Sequence, residues 1–183
     1  MGKCILLTGG VRSGKSRFAL ELAEKSGGPV LFVATAEARD EEMRRRITEH
    51  QKSRPPEWGL LEAATDVGRR INEEIGSNRV VILDCATLLL NNVLEKCGTD
   101  DETKAEVCVN REIKGLEDSI TASEATFIIV TNEVGLGLVP NNPLGRFYRD
   151  LLGQVNQRLA KLADRVYLMV SGLPVQIKPP LQA

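Results

Sequence analysis

The chain has 183 residues, enough for one domain with a substantial core, and its 24 basic and 25 acidic side chains leave a formal net charge of −1. With an aromatic content of 4%, that balance argues against a basic nucleic-acid face with stacking platforms and against attraction to acidic membranes. No apolar stretch approaches the ~20 residues that span a bilayer, and the first apolar segment is too short for a secretory signal, so a cytoplasmic protein without membrane insertion is expected.

Cys4-Ile5-Leu6-Leu7 is a short apolar run that reads as a buried strand. It leads into Gly9-Gly10-Val11-Arg12-Ser13-Gly14-Lys15-Ser16, a complete G-x-x-x-x-G-K-[ST] phosphate-binding loop. Its glycines let successive N–H groups turn toward phosphate oxygens, and a helix starting at Lys15 adds partial positive charge at the same place. Lys15 is expected to reach the β- and γ-phosphates, and the Ser16 hydroxyl to bind Mg²⁺. That helix runs to about Lys25, with Phe18, Ala19 and Leu22 on one face. Residues Pro29 to Thr35 form a second strand, and a charged helix from about Ala38 to Lys52 ends before Arg54-Pro55-Pro56, because residues preceding proline avoid the helical region.

Trp58 to Ala63 is ambiguous between loop and short strand, and Asp66 to Gly76 reads as helix. Arg79 to Leu83 is a buried strand ending at Asp84. Helices follow at Leu88 to Leu94 and Glu102 to Ala122, joined by the polar turn Gly98-Thr99-Asp100-Asp101. Ala125 to Thr131 is a further strand, and a Gly/Pro-rich loop from Gly135 to Pro143 precedes a helix reaching about Ala163. Arg165 to Val170 and Val175 to Lys178 close the sheet. Strands separated by helices need crossover connections, so the expected fold is α/β, a mainly parallel sheet with helices on both faces, with residues 1–183 as one phosphate-loop domain. The cysteines at 4, 85, 97 and 108 show no C-x-x-C spacing and read as small apolar core residues in a reducing compartment.

Three further positions carry chemical potential. Asp84, at the end of an apolar strand, should emerge beside the phosphate loop, where a carboxylate holds Mg²⁺ or its water. Glu133, in Thr131-Asn132-Glu133-Val134-Gly135, should reach the same edge and could bind metal, orient water or accept a proton from a hydroxyl; alternatively it belongs to a turn and faces solvent. This segment lacks the lysine of the Asn-Lys-x-Asp guanine-reading element, which argues against a switch GTPase. His50 is the only histidine and shares a helical stripe with Met43, Ile47 and Arg54. It reads either as the margin of an apolar face or, among Arg44, Arg45, Arg46, Lys52 and Arg54, as a neutral imidazole able to attack phosphorus.

Together these segments resemble the bifunctional adenosylcobinamide kinase/adenosylcobinamide-phosphate guanylyltransferase family of cobalamin biosynthesis. The resemblance covers Thr8 to Ser16, Ala34-Thr35, Asp40-Glu41-Glu42-Met43, Arg46-Ile47-x-x-His50-x-x-x-Arg54-Pro55, Asn132 to Pro140, Arg149-Asp150, Val155 to Ala160, and the tail Ala163-Asp164-x-Val166 with Val170-Ser171-Gly172. It implies a RecA-like three-layer sandwich that phosphorylates the hydroxyl of a corrinoid side arm with ATP or GTP. It then implies transfer of GMP from GTP through a guanylylated His50. Nucleotide contacts map by resemblance onto the phosphate loop, Thr35, Ala36, Glu37, Arg54, Pro55, Pro56, Glu57, Glu62 and Asp84, and the assembly onto a homotrimer. Two positions depart from the family pattern: Asp84 stands where many relatives carry glutamate, and Glu49 where they often have a second histidine. The alternative is a phosphate-loop kinase of another small hydroxylated metabolite, with His50 structural.

Overall fold

The computed structural model describes residues 3–38, 40–52 and 54–179, with the backbone only at positions 42, 46, 49, 50 and 52. In chain order its elements are β1 (Cys4–Gly9), α1 (Lys15–Ser26), β2 (Val30–Ala34), α2 (Glu41–Lys52), β3 (Gly59–Glu62), α3 (Val67–Glu74) and β4 (Val80–Asp84). There follow α4 (Ala86–Cys97), α5 (Glu102–Ala122), β5 (Thr126–Val130), α6 (Pro143–Leu162), β6 (Arg165–Val170) and β7 (Leu173–Lys178). The seven strands form one sheet in the order β3-β2-β4-β5-β1-β6-β7, parallel throughout except for the antiparallel β6–β7 hairpin at one edge.

The central strands are apolar on every residue because both faces are covered. Alternate side chains divide between two cores. Ile5, Leu7, Phe32, Ile82 and Ile128 pack on one face with Ala19 and Ala23 of α1. Leu6, Val33, Val81, Leu83 and Phe127 pack on the other with α3, α4, α5 and α6. This is the three-layer α/β arrangement expected from the alternating pattern. Carbonyl ends of the parallel strands share one edge, so the segments after β1, β2, β4 and β5 converge there.

Several boundaries differ from the sequence reading for local reasons. The second helix begins at Glu41 rather than Ala38, because the Asp40 carboxylate accepts a hydrogen bond from Met43 N–H at 2.7 Å and caps it. α3 has its cap supplied from another element: both Glu112 carboxylate oxygens, on α5, accept from Asp66 and Val67 N–H at 2.8 Å. α6 starts as its sequence suggests, with Asn142 accepting from Gly145 N–H at 2.6 Å and Pro143 in the first turn. Trp58 to Ala63 resolves as the edge strand β3, in which Leu61 is the one buried side chain.

The reading of all four cysteines as free core thiols is corrected. Cys4 and Cys85 are buried and free, and burial pushes both thiols up to about 12. Cys97 and Cys108 form a disulfide. The turn at 98–101 folds α5 back along α4 and brings the last residue of α4 beside the second turn of α5, a proximity that spacing alone does not reveal.

Candidate active site

The phosphate loop joins β1 to α1, and its backbone needs conformations that side chains resist. Gly9 and Gly14 have φ of +143° and +93°. An ideal Cβ on Gly9 would come within 2.5 Å of the Met169 carbonyl, and one on Gly14 within 3.1 Å of Gly172 Cα. Both neighbours belong to the β6–β7 hairpin, whose turn residues Ser171 and Gly172 are themselves left-handed. Gly172 N–H donates to the Ser13 carbonyl at 3.0 Å. The hairpin therefore backs the loop from outside, a role the sequence did not disclose.

Lys15 is buried, and its ammonium donates to the carbonyls of Gly9 at 3.0 Å and Gly10 at 2.6 Å, with the Ser13 hydroxyl at 3.5 Å. Burial pulls its pKa below the ordinary lysine value, while the nearby Asp84 carboxylate opposes that shift. The amine thus sits in a partly desolvated position where a phosphate oxygen would interact more strongly than in water.

In front of the loop lies a cavity of about 690 Å³. Val11 to Arg17 of the loop region, Ala36 after β2, Glu62 at the end of β3 and Asp84 at the end of β4 all line it. α2 forms a further wall through Met43, Ile47 and Gln51, and Arg54 completes it. The Arg54 guanidinium lies 4.6 Å above the centre of the Phe32 ring. Burial lowers the Arg54 pKa, and the Glu62 carboxylate acts the other way. A planar cation held on a ring at the wall of a phosphate cavity is suited to bind an anion. The helical stripe read from the sequence is corrected at its end: α2 stops at Lys52, so Arg54 lies beyond the helix and meets Met43 and Ile47 only as a further wall of the same cavity. The side chain of His50 lies outside the described residues, as do those of Arg46, Glu49 and Lys52. Position 50 belongs to α2, the helix whose Met43, Ile47 and Gln51 line the cavity. Arg44 and Arg45 are exposed, and Arg45 pairs with Glu41 at 3.6 Å.

Other expected contacts occupy supporting positions. The Thr35 side chain is fully buried: its hydroxyl donates to the Cys85 carbonyl at 2.9 Å and accepts from Cys85 N–H at 2.8 Å. It ties the end of β2 to the segment carrying Asp84. Pro55 accepts from Trp58 N–H at 3.2 Å in the turn that leads from α2 into β3. Pro55, Pro56, Glu57 and Glu37 are not among the cavity-lining residues.

Glu133 donates its N–H to the Gly9 carbonyl at 3.0 Å, which fixes it beside the phosphate loop. Its carboxylate accepts from Gly135 N–H at 2.7 Å and does not line the cavity. Its neighbour Asn132 does line it. Behind Asn132 runs a buried network that sequence reasoning missed. Asn156 on α6 donates to the Asn132 carbonyl at 3.0 Å and accepts from the Thr131 hydroxyl at 2.7 Å. Thr87 on α4 accepts from Asn132 N–H at 2.7 Å. Asn92, also on α4, donates to the carbonyls of Thr35 at 2.8 Å and Ala64 at 3.1 Å. Polar residues facing inward on otherwise apolar helices were the available signal.

Ser16 and Asp84 offer a hydroxyl and a carboxylate to the same cavity. No cluster of three or more His, Cys, Asp or Glu side chains able to hold a metal occurs among the described residues. That donor set fits Mg²⁺, which takes one or two protein oxygens and completes its shell with phosphates and water.

Comparison with known proteins identifies the family. The family model described as cobinamide kinase / cobinamide phosphate guanyltransferase matches residues 5–177. The bifunctional adenosylcobalamin biosynthesis protein CobU of Escherichia coli (strain K12) is 42% identical over 180 residues, 95% of this chain and 99% of the relative. The Salmonella typhimurium protein of the same name is 39% identical over 180 residues, again 95% and 99%. The CobP protein of Pseudomonas aeruginosa is 40% identical over 173 residues, 94% of this chain and 96% of that one. No helix among the described residues is long and apolar enough to cross a membrane. The chain belongs to the cobinamide kinase / cobinamide phosphate guanyltransferase family.

Proposed function

We propose that this protein, working as one domain, phosphorylates the side-arm hydroxyl of adenosylcobinamide with ATP or GTP and then transfers GMP from GTP to the new phosphate. The observation that carries the reading is the single cavity walled by both the phosphate loop and the α2 face. One phosphate site next to one helix suits two reactions that both act on a nucleoside triphosphate.

In the kinase step, Lys15 and the loop amides hold the β- and γ-phosphates in line with the acceptor, and positioning with charge neutralisation does most of the work. Ser16 and Asp84 would hold Mg²⁺, which when bound neutralises charge on the phosphates. Glu133, beside Gly9, is assigned the proton of the acceptor hydroxyl; it gives up its bond to Gly135 to take this proton. In the second step a ring nitrogen of His50 attacks the α-phosphorus of GTP, the bond to the β-phosphate oxygen breaks, and pyrophosphate leaves. The corrinoid phosphate then attacks the same phosphorus, the P–N bond breaks, and the imidazole is regenerated. Arg54 steadies the phosphate charge from its seat on Phe32. Ala36 and Glu62, which line the cavity, complete the nucleotide-binding wall in this reading, and Thr35 supports it from behind by tying β2 to the segment that carries Asp84. A homotrimer in the cytoplasm is part of the same proposal and rests on the family resemblance.

The test is product analysis. Purified protein with adenosylcobinamide, ATP and Mg²⁺ should yield the phosphate ester, and added GTP should convert it to the GDP-linked corrinoid with release of pyrophosphate. Phosphorylation of some other hydroxylated metabolite, with no corrinoid product, would contradict the proposal.

A further inference from the structure

The proposed reaction needs a seat for a corrin macrocycle, and the cavity of about 690 Å³ also has to hold a nucleoside triphosphate. Its walls include the phosphate loop, Arg54 and Glu62, groups assigned above to the nucleotide, together with apolar side chains such as Leu60, Leu88 and Val130. The macrocycle has to rest on the rim and send in only its hydroxyl-bearing arm.

The rim carries a suitable surface where the chain leaves β5. Leu136 is 84% exposed, Leu138 97%, Val139 61% and Leu144 51%. Large apolar side chains grouped on a surface commonly mark a binding site. This segment is also held in place at both ends. Glu133 N–H bonds the Gly9 carbonyl at its start. At its end Asn142 caps α6, and the Arg146 guanidinium donates to the carbonyls of Pro140 and Asn141, each at 3.1 Å. The loop is thus continuous with the phosphate site and presents its leucines outward from fixed ends.

Its chemistry selects among occupants. Residues 134–145 carry no charged side chain, so the loop offers nothing to a phosphate or an acidic ligand. Apolar side chains with the exposed amide Asn141 match a macrocycle that is apolar at its edge, bears carboxamide arms and holds a cationic cobalt. The nearest acid in the chain, Glu133, stands at the inner end of the loop, where positive charge is tolerated and the hydroxyl must arrive.

We propose that the 134–145 loop is the docking surface for the corrin ring of the acceptor, directing its arm past Asn132 and Glu133 to the phosphate loop. This inference rests on the proposed corrinoid activity. It is tested with the double variant Leu136→Ser/Leu138→Ser and, separately, with Leu138→Gln, all at exposed positions that folding does not use. Cobinamide binding is followed by its own visible absorbance, together with KM for cobinamide and for ATP, and molar mass by light scattering. The expected result is a loss of cobinamide affinity and a rise in its KM of about tenfold or more in the double variant, with KM for ATP and molar mass unchanged. Equal cobinamide binding by variant and wild type would overturn the docking surface and leave the proposed activity standing. A change in molar mass would overturn it too, by making the loop a contact between copies of this chain. Wild-type protein that neither binds nor phosphorylates cobinamide would overturn the proposed function itself and the docking surface with it.

Discussion

The packing of the β6–β7 turn on the phosphate loop makes Gly14→Ala a demanding substitution. Gly14 precedes α1 with φ of +93°, and an ideal Cβ there would lie 3.1 Å from Gly172 Cα. Two costs follow. A left-handed backbone costs a residue with a Cβ roughly 1–2 kcal/mol. The contact is made against main chain rather than the end of a flexible side chain, so the loop or the turn must also shift by a few tenths of an ångström. Gly76→Ala separates these costs, because Gly76 has φ of +46° and an ideal Cβ there meets nothing nearer than the Glu74 carbonyl at 3.9 Å. Both variants should therefore lose about 1–2 kcal/mol in urea unfolding, Gly14→Ala the more. Only Gly14→Ala should weaken binding of a fluorescent GTP analogue, by about tenfold or more, equivalent to ~1.4 kcal/mol. Gly172→Ala, whose Cβ meets only the end of the Arg17 side chain at 3.2 Å, should behave much like Gly76→Ala. If Gly14→Ala bound the analogue within about twofold of Gly76→Ala, the hairpin would have no part in shaping the phosphate site.

Asn156→Ala removes the donor to Asn132 and the acceptor for Thr131, and should cost about 1–3 kcal/mol in stability. Because Asn132 lines the cavity, its kcat should also fall in steady-state assays while a variant of equal stability loss elsewhere keeps its rate. Cys97→Ser should lower the unfolding free energy by about 2–3 kcal/mol in oxidising buffer and change little once wild type is reduced, since the bridge closes a loop of sequence separation 11. Iodoacetamide at pH 8 should leave Cys4 and Cys85 unlabelled in folded protein, because both are buried and their thiols are pushed up to about 12; labelling of either without unfolding would show that the site opens on its own.

Much of this architecture could be read from the chain because the relevant signals are local. Val80 to Leu83 is an unbroken apolar run since both faces of β4 are covered, and an acid immediately after such a run could only fall at the carboxyl edge. β3 was ambiguous because an edge strand with one buried residue lacks both the apolar run and the alternation. What stayed hidden depends on residues far apart in sequence. The Glu112 cap of α3, the hold of Asn156 on Asn132 and the contact of Gly172 with the phosphate loop have no local signature. Thr35 was expected at the nucleotide, whereas its hydroxyl is engaged by the Cys85 backbone, a distinction that residue type cannot make. The Cys97–Cys108 bridge was missed for a related reason: eleven residues of separation say nothing until the turn between two helices sets their direction.

The central claim is that one cavity serves both phosphoryl and guanylyl transfer, with His50 as the group that carries GMP. Intact mass of the protein after incubation with GTP and Mg²⁺, beside His50→Ala, tests it most directly. The account predicts a gain of one GMP in wild type alone, lost in acid and retained in base as a histidine phosphoramidate requires. Wild-type protein that binds GTP yet gains no mass, or an adduct that persists in His50→Ala, would contradict it.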